Sequence, residues 1–197
     1  MKRAVLVMAL AALIATPAFA QPYSVNISLG VRETGSTAPI GGDGGTSGSI
    51  EWVDFDNQTL VLDGTWQQFV FDLDMLPITA FTGNGVLDGA AGTIEHIRIK
   101  SNAYGGPISI WMDDLENTYK PSPLAPPTTV AIGGGFEAPY VVGDEVAFQE
   151  PTFSGSTGGL IVAGATSAVT DTDAQSGLQS YLINYEWINQ SPSNWLR

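Results

Sequence analysis

Few residues in this chain have the makings of catalytic chemistry. One histidine, His96, lies between Glu95 and Ile97, and there is no cysteine. A lone histidine excludes any site that needs two. The missing thiols exclude a thiolate nucleophile, a cysteine-held metal and disulfides. His96 could join a serine and an acid, but no nucleophile elbow accompanies it, and a rim histidine is expected. Glu51-Trp52-Val53-Asp54-Phe55-Asp56 is acidic and strand-like. It lacks the Glu-x-Asp-x-x-Glu spacing that sets two carboxylates across a cleft for glycoside hydrolysis. Asp171-Thr172-Asp173 falls short of Asp-x-Asp-x-Asp-Gly and reads as a turn. The expectation is a non-catalytic chain, with a catalytic domain beyond Arg197 left open.

The aromatic residues offer a different chemistry. Flat rings stack on sugar faces while amides and acids bond hydroxyls, and Trp52, Trp66, Trp111, Trp187, Trp195 and Tyr104 are the candidates. Most tryptophans in a β-protein are core, because each buries a large area. Trp66 opens a strand after a turn and is expected to pack. Trp111 alternates out of phase with Ile108, Ile110 and Met112, which turns it outward. Trp52 follows a Gly-rich loop. Trp111, Trp52 and Tyr104 are therefore the candidate ligand-binding residues.

The elements that must position these rings read as strands. Ser24 to Arg32 alternates, with Val25, Ile27, Leu29 and Val31 on one face. Further strands are expected at Ile50 to Phe55, Thr59 to Leu62, Trp66 to Leu73, Ile94 to Lys100 and Ile108 to Leu115. Glu33 to Ser49 and Pro77 to Gly92 read as loops, and Asp63-Gly64 as a turn. Pro121, Pro123, Pro126 and Pro127 make residues 121–129 an extended linker. Beyond it, Thr128 to Phe136, Ala147-Phe148, Gly159 to Val162, Ala168 to Thr170 and Gln179 to Ile188 are candidate strands. No amphipathic helix is evident. With 23 glycines, 12 prolines and 14% charged residues, the pattern is all-β, a sandwich or barrel.

The N-terminus carries an address. Lys2 and Arg3 precede the apolar run Val5 to Ile14, which is short for a membrane span. Ala18-Phe19-Ala20 supplies a small-x-small cleavage pattern. Residues 1–20 are thus expected to be a signal peptide, and the mature chain to start near Gln21, secreted or at the cell surface. No later segment is apolar enough to insert in a membrane. Loss of Lys2 and Arg3 takes the formal charge from −13 to −15, since two cations and no acid are removed. That field repels nucleic acid and anionic lipid. It leaves neutral glycans, cations and basic partners open.

An ordered series of motifs carries a family likeness. It runs through Val31-Arg32-Glu33-Thr34-Gly35, Asp63-Gly64-Thr65-Trp66-Gln67-Gln68-Phe69, Gly92-Thr93-Ile94-Glu95-His96-Ile97-Arg98-Ile99 and Ile110-Trp111-Met112-Asp113-Asp114-Leu115. The series resembles the later strands of galactose-binding-like jelly-roll modules of secreted bacterial proteins, of which carbohydrate-binding modules are the best-known members. Gly135-Phe136-Glu137 through Gly177-Leu178-Gln179-Ser180-Tyr181 resembles the opening strands of the same kind of module. The resemblance implies a structural calcium held by Glu137 and by Asp113 or Asp114, since calcium takes several hard oxygen ligands at once. Solvated acids at a strand end are the alternative.

The order departs from the family, because closing strands precede opening ones. Segments 21–120 and 130–197 are therefore either two incomplete modules or halves of one circularly permuted, jelly-roll-type antiparallel sandwich. Each half is small for a core of its own. Trp195-Leu196 would normally sit inside a strand, so the sequence is expected to be part of a longer protein. The leading functional expectation is a non-catalytic module that binds a polysaccharide or surface glycan. The alternative is a structural or cell-surface spacer with no ligand.

Overall fold

The computed structural model describes residues 4–13, 23–34, 50–89, 91–102, 106–119, 128–131, 135–144, 151 and 160–197. Every element among them is a strand: β1 Ala4–Leu13, β2 Ser24–Thr34, β3 Ile50–Val61, β4 Trp66–Asp72, β5 Ile78–Ala80, β6 Ala91–Ser101, β7 Pro107–Tyr119, β8 Thr128–Ala131, β9 Thr166–Thr170, β10 Ser180–Glu186 and β11 Trp195–Leu196. They form an antiparallel β-sandwich. Sheet A runs β4-β1-β7-β10-β9, with β8 also on β7, and sheet B runs β11-β6-β2-β3-β5.

Alternation decides which side chains go inside. On sheet B, Val25, Ile27, Leu29 and Val31 of β2 join Ile97 and Ile99 of β6 and Leu196 of β11. On sheet A, Ile108, Ile110 and Met112 of β7 meet Tyr181, Ile183 and Tyr185 of β10. Because the side-chain period is two, the matched registers Tyr181↔Met112 and Ile183↔Ile110 bury both sets together. One apolar cluster includes residues from both segments, so β10 completes a core that β7 begins. The two segments share a sandwich, and β8 Thr128–Ala131 starts within the stretch read as linker.

Three elements differ from the sequence reading. The strands expected at Ile50 to Phe55 and Thr59 to Leu62 are one strand, β3, bulged where its register on β2 jumps from Leu29↔Val53 to Ile27↔Gln58. Asp54 and Asp56 take positive φ there, 55° and 58°. That left-handed conformation suits a bulge and is tolerated by Asp better than by most residues. Ile78–Ala80, read as loop, adds a short edge strand to β3. Lastly, Ala4–Leu13, read as leader, pairs with both β4 and β7, and Met8 is fully buried. An unbroken apolar run fits an export leader and a buried strand equally, and periodicity alone does not separate the two. Cleavage after Ala20 would take this strand out of the middle of sheet A. Ala147-Phe148 lies outside the described residues.

Candidate functional site

The two sheets present outer faces of opposite chemistry. On sheet A, β7 sets Trp111 and Ser109 outward, and β10 answers with Leu182 and Asn184 through the registers Leu182↔Trp111 and Asn184↔Ser109. The edge strand β9 adds Ala168 and Thr166 to these two rows. Ser109 Oγ donates to Asn184 Oδ1 at 2.7 Å, and Asn184 Nδ2 donates to Thr166 Oγ1 at 3.4 Å. Trp111 is half-buried, and its Nε1–H donates to Thr172 Oγ1 at 3.2 Å. That bond fixes the ring against the loop after β9. The result is a flat indole beside a neutral row of hydroxyls and an amide.

The outer face of sheet B is charged and closed on itself. The Arg98 guanidinium lies 4.7 Å from the Phe55 ring centroid and 4.4 Å from that of Trp195. Its Nε and Nη2 donate to the two Asp56 oxygens at 3.0 and 3.2 Å, and Lys100 Nζ reaches Asp56 at 3.1 Å. Further along, Arg32 pairs with Glu95 through two bonds. Arg197 Nη1 donates to His96 Nε2 at 3.0 Å, which leaves the imidazole proton on Nδ1. Burial, seconded by the Arg197 charge, pushes His96 down to about 4. The carboxyl of Glu95 is held below its usual value because Arg32, through its bonds and its charge, outweighs the opposing effect of burial. His96 is thus half-buried, with its acceptor nitrogen occupied by Arg197.

Trp52 requires a correction. It projects from sheet B but is only 3% exposed, with Phe81 at 5.1 Å, His96 at 5.9 Å and Phe55 at 6.2 Å between ring centroids. Its opposite number across β2 is Gly30, where an added Cβ would stand 2.8 Å from the indole and 2.9 Å from His96 Cβ. The ring fills the space that Gly30 leaves, so Trp52 is a packing residue and not a free platform. Tyr104 lies outside the described residues. Trp111 alone of the three candidates offers a partly open ring among the described residues.

The three candidate metal acids come together. All of them meet the loop at residues 175–179, which joins β9 to β10. Asp113, fully buried, accepts from Asp114 N at 2.8 Å, Gln175 N at 2.9 Å and Ser176 N at 3.1 Å. Asp114 Oδ1 accepts from Ser176 Oγ at 2.7 Å. Glu137 Oε1 accepts from Leu178 N at 2.6 Å and Gln179 N at 2.9 Å. The pinch comes from backbone irregularity, with Asp114 and Phe136 at φ 50° and 51° and Gly177 at 66°. A Cβ on Gly177 would collide with the Glu137 carboxylate. Burial raises the Asp113 carboxyl against the three N–H donors that favour its charged form. The amide oxygen of Gln179 is buried with no partner. Carboxylate and amide oxygens are the ligand types that a hard cation takes. Among the described residues no group of three or more acids or histidines is close enough to hold a metal by side chains alone, so backbone or water oxygens would have to contribute.

Sequence reasoning missed the Arg98–Asp56 network. Its partners come from the β3 bulge, β6 and β11, and no local pattern announces that meeting. The Asn184–Thr166 row was readable in part, since the alternation of β10 puts Leu182, Asn184 and Glu186 on one face. No protein-family model, no curated protein and no solved structure matches this chain.

Proposed function

We propose that this chain is a non-catalytic, glycan-binding β-sandwich of an exported protein, stabilised by calcium at Asp113, Asp114 and Glu137. The observation that carries the reading is the outer face of sheet A. There the half-buried Trp111 ring lies beside the Ser109–Asn184–Thr166 row of neutral donors and acceptors. A sugar ring presents an apolar face to an indole and hydroxyls to amides, and both partners are available side by side. The neutral character of the row favours uncharged polysaccharide over anionic glycan, as does the −13 charge of the whole chain.

Calcium would supply the positive charge that Asp113 lacks. Asp113, Asp114 and Glu137 all bond to the 175–179 loop, and since the three carboxylates do not form a group that could hold an ion by themselves, backbone and water oxygens would complete its shell. Bound to the folded state alone, it would hold β7, the 175–179 loop and the segment at Glu137 together.

The test is retention on insoluble and soluble neutral polysaccharides, by pull-down and affinity electrophoresis, for the wild type and Trp111→Ala. The wild type should be retained, and the variant should bind at least tenfold more weakly, about 1.4 kcal/mol, with its melting temperature nearly unchanged. A folded wild type that binds no glycan would favour the ligand-free spacer instead. For calcium, chelator is expected to lower the melting temperature of the wild type by more than it lowers that of Asp113→Asn.

A further inference from the structure

We propose a second cation site, separate from the one at Asp113 and Glu137. It is built on Glu51 at the end of sheet B and closed by the glycine-rich loop at residues 82–89.

Glu51 is on β3, paired with Val31 of β2, and its side chain is fully buried. Long acids are almost never fully buried without a partner, because removing the charge from water is costly. One carboxylate oxygen is accounted for: Oε1 accepts the Asn84 N–H at 2.6 Å, within the short range of charge-assisted bonds. The other, Oε2, is buried with no hydrogen-bond partner. Among the described residues, no ion pair reaches Glu51.

The loop is shaped around this carboxylate. The N–H groups of Phe81, Thr82 and Gly83 all point to Ile50 O, at 3.2, 3.0 and 3.1 Å, and the next one, from Asn84, turns to Glu51. A Cβ at Gly83 would run into Oε1, so the loop backbone presses onto the acid as only glycine permits. A second carboxylate, Glu33 of β2, accepts the Gly89 N–H at the other end of the loop. On β2, Glu33 lies two residues beyond Val31 and so shares its face with Glu51. Two acids thus clasp one loop, and one carboxyl oxygen of Glu51 is left inside without a donor.

Two occupants can satisfy Oε2, a proton or a cation. Two acids on one face bias the site toward positive charge. Oxygen-only ligands and a glycine-rich loop of adaptable backbone match calcium, which accepts irregular oxygen cages, better than magnesium, which demands a strict octahedron. The ligands would be Glu51 Oε2, carbonyl oxygens of the loop and water, with Glu33 at the rim.

Calcium titration by calorimetry of the full chain tests the proposal, alongside thermal melts in calcium and in chelator. Glu51→Gln keeps the shape of the side chain and removes its charge. It should bind one calcium fewer than the wild type and lose part of the calcium-dependent rise in melting temperature. Asp113→Asn combined with Glu137→Gln should retain the Glu51 ion, so failure of the other site is read separately. An unchanged stoichiometry in Glu51→Gln would overturn the proposal. So would a wild type that binds no calcium while Glu51→Gln melts at the same or a higher temperature, the behaviour of a protonated Glu51. If Glu51→Gln does not fold, Glu33→Gln is read the same way, with weakened binding expected and unchanged binding overturning.

Discussion

The outer faces of the two sheets are built from the same alternating strands, yet one is finished and the other is open. On sheet B, nearly every polar group is already satisfied by a neighbour. Arg98 is sandwiched between Phe55 and Trp195 and bonded to Asp56, and Trp52 is covered by Phe81, Phe55 and His96. On sheet A, the Trp111 ring and the Ser109–Asn184–Thr166 row are weakly tied and half accessible. Buried charge networks resist change because each member leaves the others uncompensated. Neutral, half-wet rows cost little to rearrange and can exchange their partners for a ligand's hydroxyls. On the proposed reading, stability and recognition are segregated onto opposite faces.

The sharpest way to break this contrast is at β1, which belongs to sheet A alone. Deleting residues 1–20 removes the strand between β4 and β7 and takes Met8 from the core. Both neighbours would be left with unpaired edges. A chain starting at Gln21 should melt about 10 °C or more below the full chain, since each kcal/mol is worth about 2–4 °C at this size. Hydrogen exchange should rise in β4 and β7 before β2 and β6. Equal melting of the two forms would mean that Ala4–Leu13 adds nothing to the fold and serves export only. N-terminal sequencing of exported protein reports which form occurs.

Arg98 gives the next largest effect, on sheet B. Arg98→Met keeps apolar bulk between Phe55 and Trp195 but leaves Asp56, 14% exposed, with Lys100 as its remaining cation. Breaking one side of such a pair typically costs about 3 kcal/mol. Urea denaturation should show it as a lower midpoint at unchanged slope. A loss under 1 kcal/mol would mean that the network is no more than a surface arrangement.

The pH dependence also belongs to sheet B. His96 faces Arg197, Glu95 and Arg32, and burial holds it near 4 in the folded protein against about 6.5 in an unfolded chain. Between those values the unfolded state binds a proton that the folded state refuses. This contribution is therefore fully present above pH 6.5 and is lost as pH falls toward 4, on the order of 3 kcal/mol in all. His96→Gln should flatten that slope. A slope identical in the variant would place the acid sensitivity elsewhere.

What could be read in advance follows the range of the interactions. The inward faces of β2, β7 and β10 were legible, because alternation is a local property and burial enforces it. The outward turn of Trp111 was legible for the same reason. A shared site of Asp113, Asp114 and Glu137 was an expectation from a family resemblance and not from spacing; the structure shows all three bonding to the 175–179 loop, from opposite sides of the proline-rich segment. Trp52 was misplaced because following a Gly-rich loop does not make a ring exposed. The sequence around it gives no hint that Phe81, far along the chain, would cover the ring. β3 was cut in two because Asp56 to Gln58 reads as a polar break, whereas the chain absorbs those residues in a bulge and resumes pairing.

The smallest expected effect is on sheet A, and its smallness is the point. Asn184→Ala removes the acceptor for Ser109 and the donor to Thr166, one bond at 2.7 Å and one at 3.4 Å. Both hydroxyls are near water and can rebond to it, so the net loss should be under about 1 kcal/mol. If this row contacts glycan, the same substitution should weaken polysaccharide retention several-fold, because an amide's paired donor and acceptor are harder to replace with water once a sugar covers them. Ser109→Ala should follow in the same direction with a smaller loss. Thr166, at the edge, should matter least. Equal retention in all three variants, alongside a loss in Trp111→Ala, would confine recognition to the indole. Loss of stability above 2 kcal/mol in Asn184→Ala would instead make sheet A a closed face like sheet B, and the segregation of stability from recognition would fail.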